Sequence, residues 1–127
     1  MSHFTTLKTS IVDLEHLKSA LSDLDMAYVE GPVKIRGYGG QTTQVDLKAP
    51  TRSPGYDLGF RKAGDAYELV ADWWGIKDIK QDDFLRQVQQ RYAYSVTKAE
   101  LEEQDFTIVE ETVEQDQTIH ICVRRMV

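Results

Sequence analysis

The sequence holds a single cysteine, Cys122, and only three prolines in 127 residues. One thiol cannot close an internal disulfide, so a reducing compartment is expected. No window approaches the ~20 uncharged residues of a membrane-spanning helix, and membrane insertion is not expected. The opening Met1-Ser2-His3-Phe4-Thr5-Thr6 has no apolar core of signal-peptide length, which points to a cytoplasmic protein. Basic side chains are in deficit, 15 against 21 acidic, for a net charge of −6. Such a chain repels a phosphate backbone, so nucleic acid is not the expected partner. Phosphate-loop and dinucleotide-binding spacings are also missing, as is any specific catalytic motif. The sequence therefore names no reaction and calls for no cofactor or metal.

The remainder suits one globular domain over 1–127, since 41% of the residues are hydrophobic. Its charge is unevenly spread. Residues 99–116 hold eight acids (Glu100, Glu102, Glu103, Asp105, Glu110, Glu111, Glu114, Asp116) and no base. Residues 30–62 hold six bases (Lys34, Arg36, Lys48, Arg52, Arg61, Lys62) against three acids (Glu30, Asp46, Asp57), a local +3. An acidic end and a mildly basic middle permit association between copies of the chain, besides docking to another protein.

Periodicity predicts a first strand over 3–11, then a helix over 14–24 with Asp13 as its N-cap and Leu14, Leu17, Ala20, Leu21 and Leu24 as one apolar stripe. A short strand at 27–29 is expected to stop at Gly31-Pro32. Val33 to Pro54 contains Gly37, Gly39, Gly40, Pro50 and Pro54 and reads as a long excursion with short strands near 33–36 and 44–48. Tyr56-Leu58-Phe60 alternate with Asp57, Gly59 and Arg61, and Tyr67-Leu69-Ala71-Trp73 with Glu68, Val70 and Asp72, which predicts an antiparallel hairpin across Gly64. Asp82 or Asp83 is expected to cap a second helix reaching Glu103, with Leu85, Val88, Tyr92, Val96 and Ala99 as its stripe. A closing hairpin pairs 106–113 with 118–125 through Glu114-Gln115-Asp116-Gln117. The expected fold class is α+β, one antiparallel sheet with two helices packed on one face and a ferredoxin-like flavour. Its second face, left partly open, would carry Asp57, Arg61, Glu68, Val70, Asp72, Trp74, His120, Cys122 and Arg124.

Five strings, Met1-Ser2-His3-Phe4, Tyr56-Asp57-Leu58-Gly59-Phe60, Tyr67-Glu68-Leu69-Val70-Ala71-Asp72-Trp73-Trp74-Gly75, Gln90-Arg91-Tyr92-Ala93-Tyr94 and Phe106-Thr107-Ile108-Val109-Glu110, run from end to end of the chain. Together they resemble the hypothetical chloroplast reading frame thirty-five family, small proteins encoded by cyanobacteria and some algal plastids and classed as a domain of unknown function. The resemblance implies a soluble cytoplasmic or stromal protein of a photosynthetic organism. It supplies no reaction and no catalytic residues. The Asp-Gly turn expected in the last hairpin is replaced here by Asp116-Gln117.

Candidate binding residues gather in two places. Arg36-Gly37-Tyr38-Gly39-Gly40-Gln41 is either an anion-holding loop, its glycines freeing backbone N–H groups beside Arg36, or a flexible connection. Asp72-Trp73-Trp74-Gly75 is expected to send one indole into the core and leave the other either for a partner or ligand contact or for packing beneath the glycine-rich excursion. Asp57 and Asp72, on neighbouring strands, are either a proton-sharing pair or two solvated carboxylates. His120 and Cys122 supply too few ligands for zinc, unless His3 or Asp57 joins them. Cys122 beside Arg124 is a weak nucleophile candidate, and His16 at the edge of the first stripe is structural or solvated. The sequence favours a non-enzymatic binding or adaptor protein that docks a protein partner through the open sheet face and the glycine-rich loop, using Arg36, Tyr38, Asp57, Asp72, Trp73 and Trp74. The alternative is a small-molecule or anion-binding domain, or a small enzyme, with its pocket between the glycine-rich loop and the sheet.

Overall fold

The computed structural model describes residues 3–116 and 118–125. Gln117 of the last connection, and Met1 and Ser2 of the opening string, lie outside the described residues. The order is β1 (Thr5–Lys8), α1 (Leu14–Asp23), β2 (Val29–Arg36), β3 (Thr42–Pro50), β4 (Asp57–Ala63), β5 (Ala66–Ala71), α2 (Gln81–Glu103), β6 (Phe106–Val113) and β7 (Ile119–Arg125). The class is α+β, as expected. Five strands form one antiparallel sheet in the order β1-β5-β4-β3-β2, and β6 pairs β7 in a second sheet. The connectivity is a meander from β2 to β5, with β1 added beside β5, rather than the βαββαβ order of a ferredoxin-like domain.

Local signals explain the elements that were predicted closely. Asp13 caps α1, its Oδ1 accepting the N–H groups of Glu15 at 2.9 Å and His16 at 3.2 Å. Leu58 and Phe60 of β4, Leu69 and Ala71 of β5 and Leu47 and Ala49 of β3 pack against Leu17 and Leu21 of α1 and Phe84 and Val88 of α2. Both helices thus cover one face. The α2 stripe is shifted from the expected one, since Phe84 and Val88 are buried while Leu85, Tyr92, Val96 and Ala99 are only half-buried. Lys80 occupies the α2 N-cap without a side-chain bond, and Asp82 and Asp83 fall inside the first turn, where the helix dipole favours carboxylates.

Tertiary pairing overrode the local signal elsewhere. β1 is shorter than expected because Thr9 turns its hydroxyl to the Tyr67 carbonyl (2.7 Å) and Ile11 enters the core. Gly31-Pro32 does not stop β2: the strand passes through it with a cis peptide bond and a shift of register against β3. The long excursion is instead a β2–β3 hairpin. Gly39 and Gly40, both at positive φ, make its turn, and β3 extends to nine residues. β5 ends at Ala71, so Trp73 and Trp74 stand in a single 3-10 turn at Trp73–Gly75, past the strand end.

The second face of the five-stranded sheet is not open. Ile35, Val45 and Val70 are buried there in a second apolar cluster, with Phe4 and Val33 against it. The sheet coils so strongly that its edges approach: Gly37, just past β2, is so close to the Phe4 ring, just before β1, that a Cβ on it would stand 2.9 Å from Phe4 Cζ. Asp57, Val70 and Asp72 are buried as a result. His120, Cys122 and Arg124 belong to β7 in the other sheet, so they do not share a face with these carboxylates.

Gly59 faces this second cluster from β4, where a Cβ would stand 2.6 Å from Val45 Cγ1. Gly59→Ala is expected to destabilise the chain by about 1–3 kcal/mol through overpacking. Adding Val45→Ala should cancel part of that loss, which a double-mutant cycle by urea denaturation measures; strictly additive losses would show that the two sites do not touch.

Candidate functional site

The meander sets the end of β2, the start of β4 and the end of β5 side by side, and the candidate residues meet there. Asp57 is buried at the first position of β4. Its Oδ2 accepts the Arg36 backbone N–H at 2.9 Å and Arg36 Nε at 3.0 Å, while Oδ1 accepts Arg36 Nη2 at 3.1 Å. Lys48 Nζ lies 3.9 Å from Oδ2. Burial pushes the Asp57 carboxyl up, but the side-chain and backbone hydrogen bonds from Arg36, with the Lys48 and Arg36 charges, outweigh it and leave its pKa below the ordinary value. The Arg36 pKa is raised, first by that hydrogen bond and then by the Asp57 charge. The carboxylate is thus committed to closing β2 over the sheet.

Asp72, also buried, follows β5 and accepts the Tyr38 backbone N–H through Oδ2 at 3.0 Å. Gly37 N–H donates to the Gln41 carbonyl (2.9 Å) and Gln41 N–H to the Tyr38 carbonyl (3.1 Å), so the glycine-rich turn is cross-braced. Two buried carboxylates therefore fix a loop that the sequence left as either a nest or a flexible connection. Asp57 and Asp72 are buried rather than solvated, and each holds backbone from the β2–β3 hairpin.

What this scaffold displays is aromatic. The Tyr38 and Trp74 rings meet edge to face, centroids 5.4 Å apart at 90°. Tyr38 is 42% and Trp74 59% exposed. Lys77 Nζ sits 5.6 Å from the Trp74 ring centroid and donates to the Trp74 carbonyl at 2.9 Å. Trp73 turns inward onto the main core, and its indole Nε1 is enclosed with no hydrogen-bond partner among the described residues. One indole in and one out is the expected division. Gly75 is buried directly on the Tyr56 ring, leaving no room for a side chain. The Tyr56 pKa is raised by burial, then by the charges of Asp72 and Tyr38.

The sequence reading missed Tyr56, Lys77 and Phe4. Lys77, three residues after Trp74 and past Gly75, carried a local signal, because a tight turn brings such a side chain back over the ring. Phe4 carried none, since only the coil of the sheet brings the two edges together.

The other candidates are placed elsewhere. His16 Nδ1 lies 2.7 Å from Ser95 Oγ, tying α1 to α2. His120 Nε2 lies 2.9 Å from Glu114 Oε1, and Cys122 is exposed. Among the described residues no group of three or more His, Cys, Asp or Glu is placed to hold a metal ion. A cavity of about 620 Å³ lies between Leu24, Met26, Pro50, Arg52, Ile79 and Phe84, away from the aromatic pair.

With this geometry in view, comparison with known proteins gives a family. Residues 20–122 match the family described as protein of unknown function (DUF1257). The chain belongs to that family. It is similar to "Uncharacterized protein ycf35" of Cyanophora paradoxa, 35% identical over 127 residues and covering 98% of each chain. Similar relatives of the same name come from Guillardia theta, 34% identical over 131 residues, and Pyropia yezoensis, 30% identical over 131, again at 98% coverage of each chain. The resemblance in the five strings is thereby shown. No solved structure matches this member of the family. Among its described residues no helix is long and apolar enough to cross a membrane.

Removing the Arg36 side chain tests the clamp. Arg36→Ala keeps one hydrogen bond to Asp57, from the backbone, and should lower stability at neutral pH by leaving the buried carboxylate short of two of its donors. A depressed carboxyl pKa stabilises the fold above the unfolded value, here 3.8, and the gain is lost as pH falls through the folded value. The gap between wild type and variant in urea denaturation should therefore narrow below pH 3.8. A gap independent of pH would mean the loss is packing and not charge.

Proposed function

We propose that this chain is a non-enzymatic docking protein that engages a protein partner through the Tyr38–Trp74 ridge, in the assembly or regulation of photosynthetic machinery. The observation that carries the reading is the exposure of two large aromatic rings on a braced scaffold. Aromatic side chains dominate binding energy where they are rigid, because little conformational freedom is lost on contact. Tyr38 is fixed through its backbone by Asp72, and Trp74 through its carbonyl by Lys77. Both rings remain exposed. Asp57 and Asp72 are structural in this reading, Arg36 is half structural and half presented, with 54% of its side chain exposed, and Trp73 anchors the turn from below. Recognition then combines an aromatic ridge with the cations of Arg36 and Lys77 at its sides. The photosynthetic setting is supported by the algal relatives of the same family.

Affinity capture from a photosynthetic host, with wild type and with Tyr38→Ala/Trp74→Ala as bait, tests the ridge. Both side chains are exposed, so the double variant should keep its melting behaviour while recovery of specific partners falls about tenfold or more. Equal recovery by the two baits would rule the ridge out as the docking surface.

A further inference from the structure

The chain carries two unsatisfied surfaces, and they are chemically complementary. One is the Tyr38–Trp74 ridge with Lys77 and Arg36. The other is β6, which stands with β7 as a separate two-stranded sheet. Among the described residues after Val88 none is buried, so the far half of α2 and the whole β6–β7 hairpin lack a closed core. A two-stranded sheet of this kind is marginal in water unless something packs on it. β6 presents Val109 at 51% and Val113 at 43% exposure, the only large hydrophobics of the hairpin so exposed among its described residues. Glu110 and Glu111 lie between them, and β6 has no base. Glu111 is held by Arg91 at 3.0 Å, whereas Glu110 makes no ion pair among the described residues.

We propose that the ridge docks the acidic β6 strand of a second copy of this chain, with Val109 as the apolar anchor against Tyr38 and Trp74 and Glu110, set on the same side by the register shift at Val109, facing Lys77. The inference rests on the reading of the ridge as a protein-docking surface and names its occupant. Charge selects a second copy in this head-to-tail sense and disfavours like edges meeting: a β6–β6 pair sets Glu110 and Glu111 against their own kind, and a β7–β7 pair sets Arg124 and Arg125 likewise. Ridge and strand are different patches, so the association is heterologous. It closes into a ring or continues as a chain of copies.

Sedimentation of the purified chain tests this directly. At about 0.05 M salt the weight-average mass should rise with concentration to at least about twice the monomer, and return to the monomer near about 0.5 M. A ridge variant, Trp74→Ala/Lys77→Glu, and a strand variant, Val109→Asp/Glu110→Lys, should each stay monomeric with an unchanged circular dichroism spectrum. Mixed in equal amounts they should form a heterodimer that grows no further, because the intact strand of the first meets the intact ridge of the second. No loss of structure in either variant produces that rescue. A wild type that stays monomeric at low salt, variants that associate like wild type, or a mixture that stays monomeric overturns the inference. If the wild type is monomeric while Trp74→Ala still loses partners from a host extract, the ridge docks a different protein and this inference alone falls; if Trp74→Ala changes neither readout, both readings fall.

Discussion

A single buried carboxylate, Asp57, decides where β2 lies, and most of the molecule follows from that. Asp57 accepts three hydrogen bonds from Arg36 and sits near Lys48, so its charge is compensated although it is inaccessible to water. Placing an unpaired charge there would be prohibitive. Only the curl of β2 over the second face brings Arg36 to it. The same curl covers Ile35, Val45 and Val70, and carries the glycine-rich turn to Asp72. The clamp is half exposed on the Arg36 side, which tempers its worth but not its geometric role.

The two carboxylates show how a polar pair on a sheet becomes scaffold. Each accepts a backbone N–H of the β2–β3 hairpin, at Arg36 and at Tyr38. Side-chain acceptors do here what a sixth strand would do, satisfying the donors where the sheet runs out. Their chemistry is thereby spent internally, and the groups left facing water are Tyr38, Trp74, Lys77 and one side of the Arg36 guanidinium. The face that remains exposes two aromatic rings beside the Lys77 ammonium, with Asp57 and Asp72 buried beneath.

Much of the fold was legible in the sequence because its signals were local. Asp13 before Leu14, Leu17 and Leu21 marks α1, and the alternation of Leu58-Phe60 and Leu69-Ala71 marks the central hairpin. What was not legible depends on residues far apart. Gly31-Pro32 looks like a strand end, yet pairing with β3 carries the chain through it. Asp57 and Asp72 occupy the polar phase of their strands, and alternation alone assigns them to solvent. Their burial comes from the coil that brings Gly37 to Phe4, a contact between opposite edges of the sheet. The candidates Arg36, Tyr38 and Trp74 stand out by composition, glycines beside an arginine and paired indoles, but the contact between Tyr38 and Trp74 needed the meander. Nothing local separates β6 and β7 from the main sheet, because which strand an edge pairs with is a choice between distant partners.

The length of α2 has a consequence for how the molecule opens. At 23 residues it spans about 35 Å; its buried positions, Phe84 and Val88, lie in the first two turns, and Tyr92 in the next turn packs half-buried against the same core. The remaining turns carry the β6–β7 hairpin on half-buried contacts, pinned by Arg91 and Tyr94 to Glu111. On these contacts amide protons of β3, β4 and β5 are expected to exchange with global unfolding, and those of the hairpin through a smaller opening that leaves the main sheet closed.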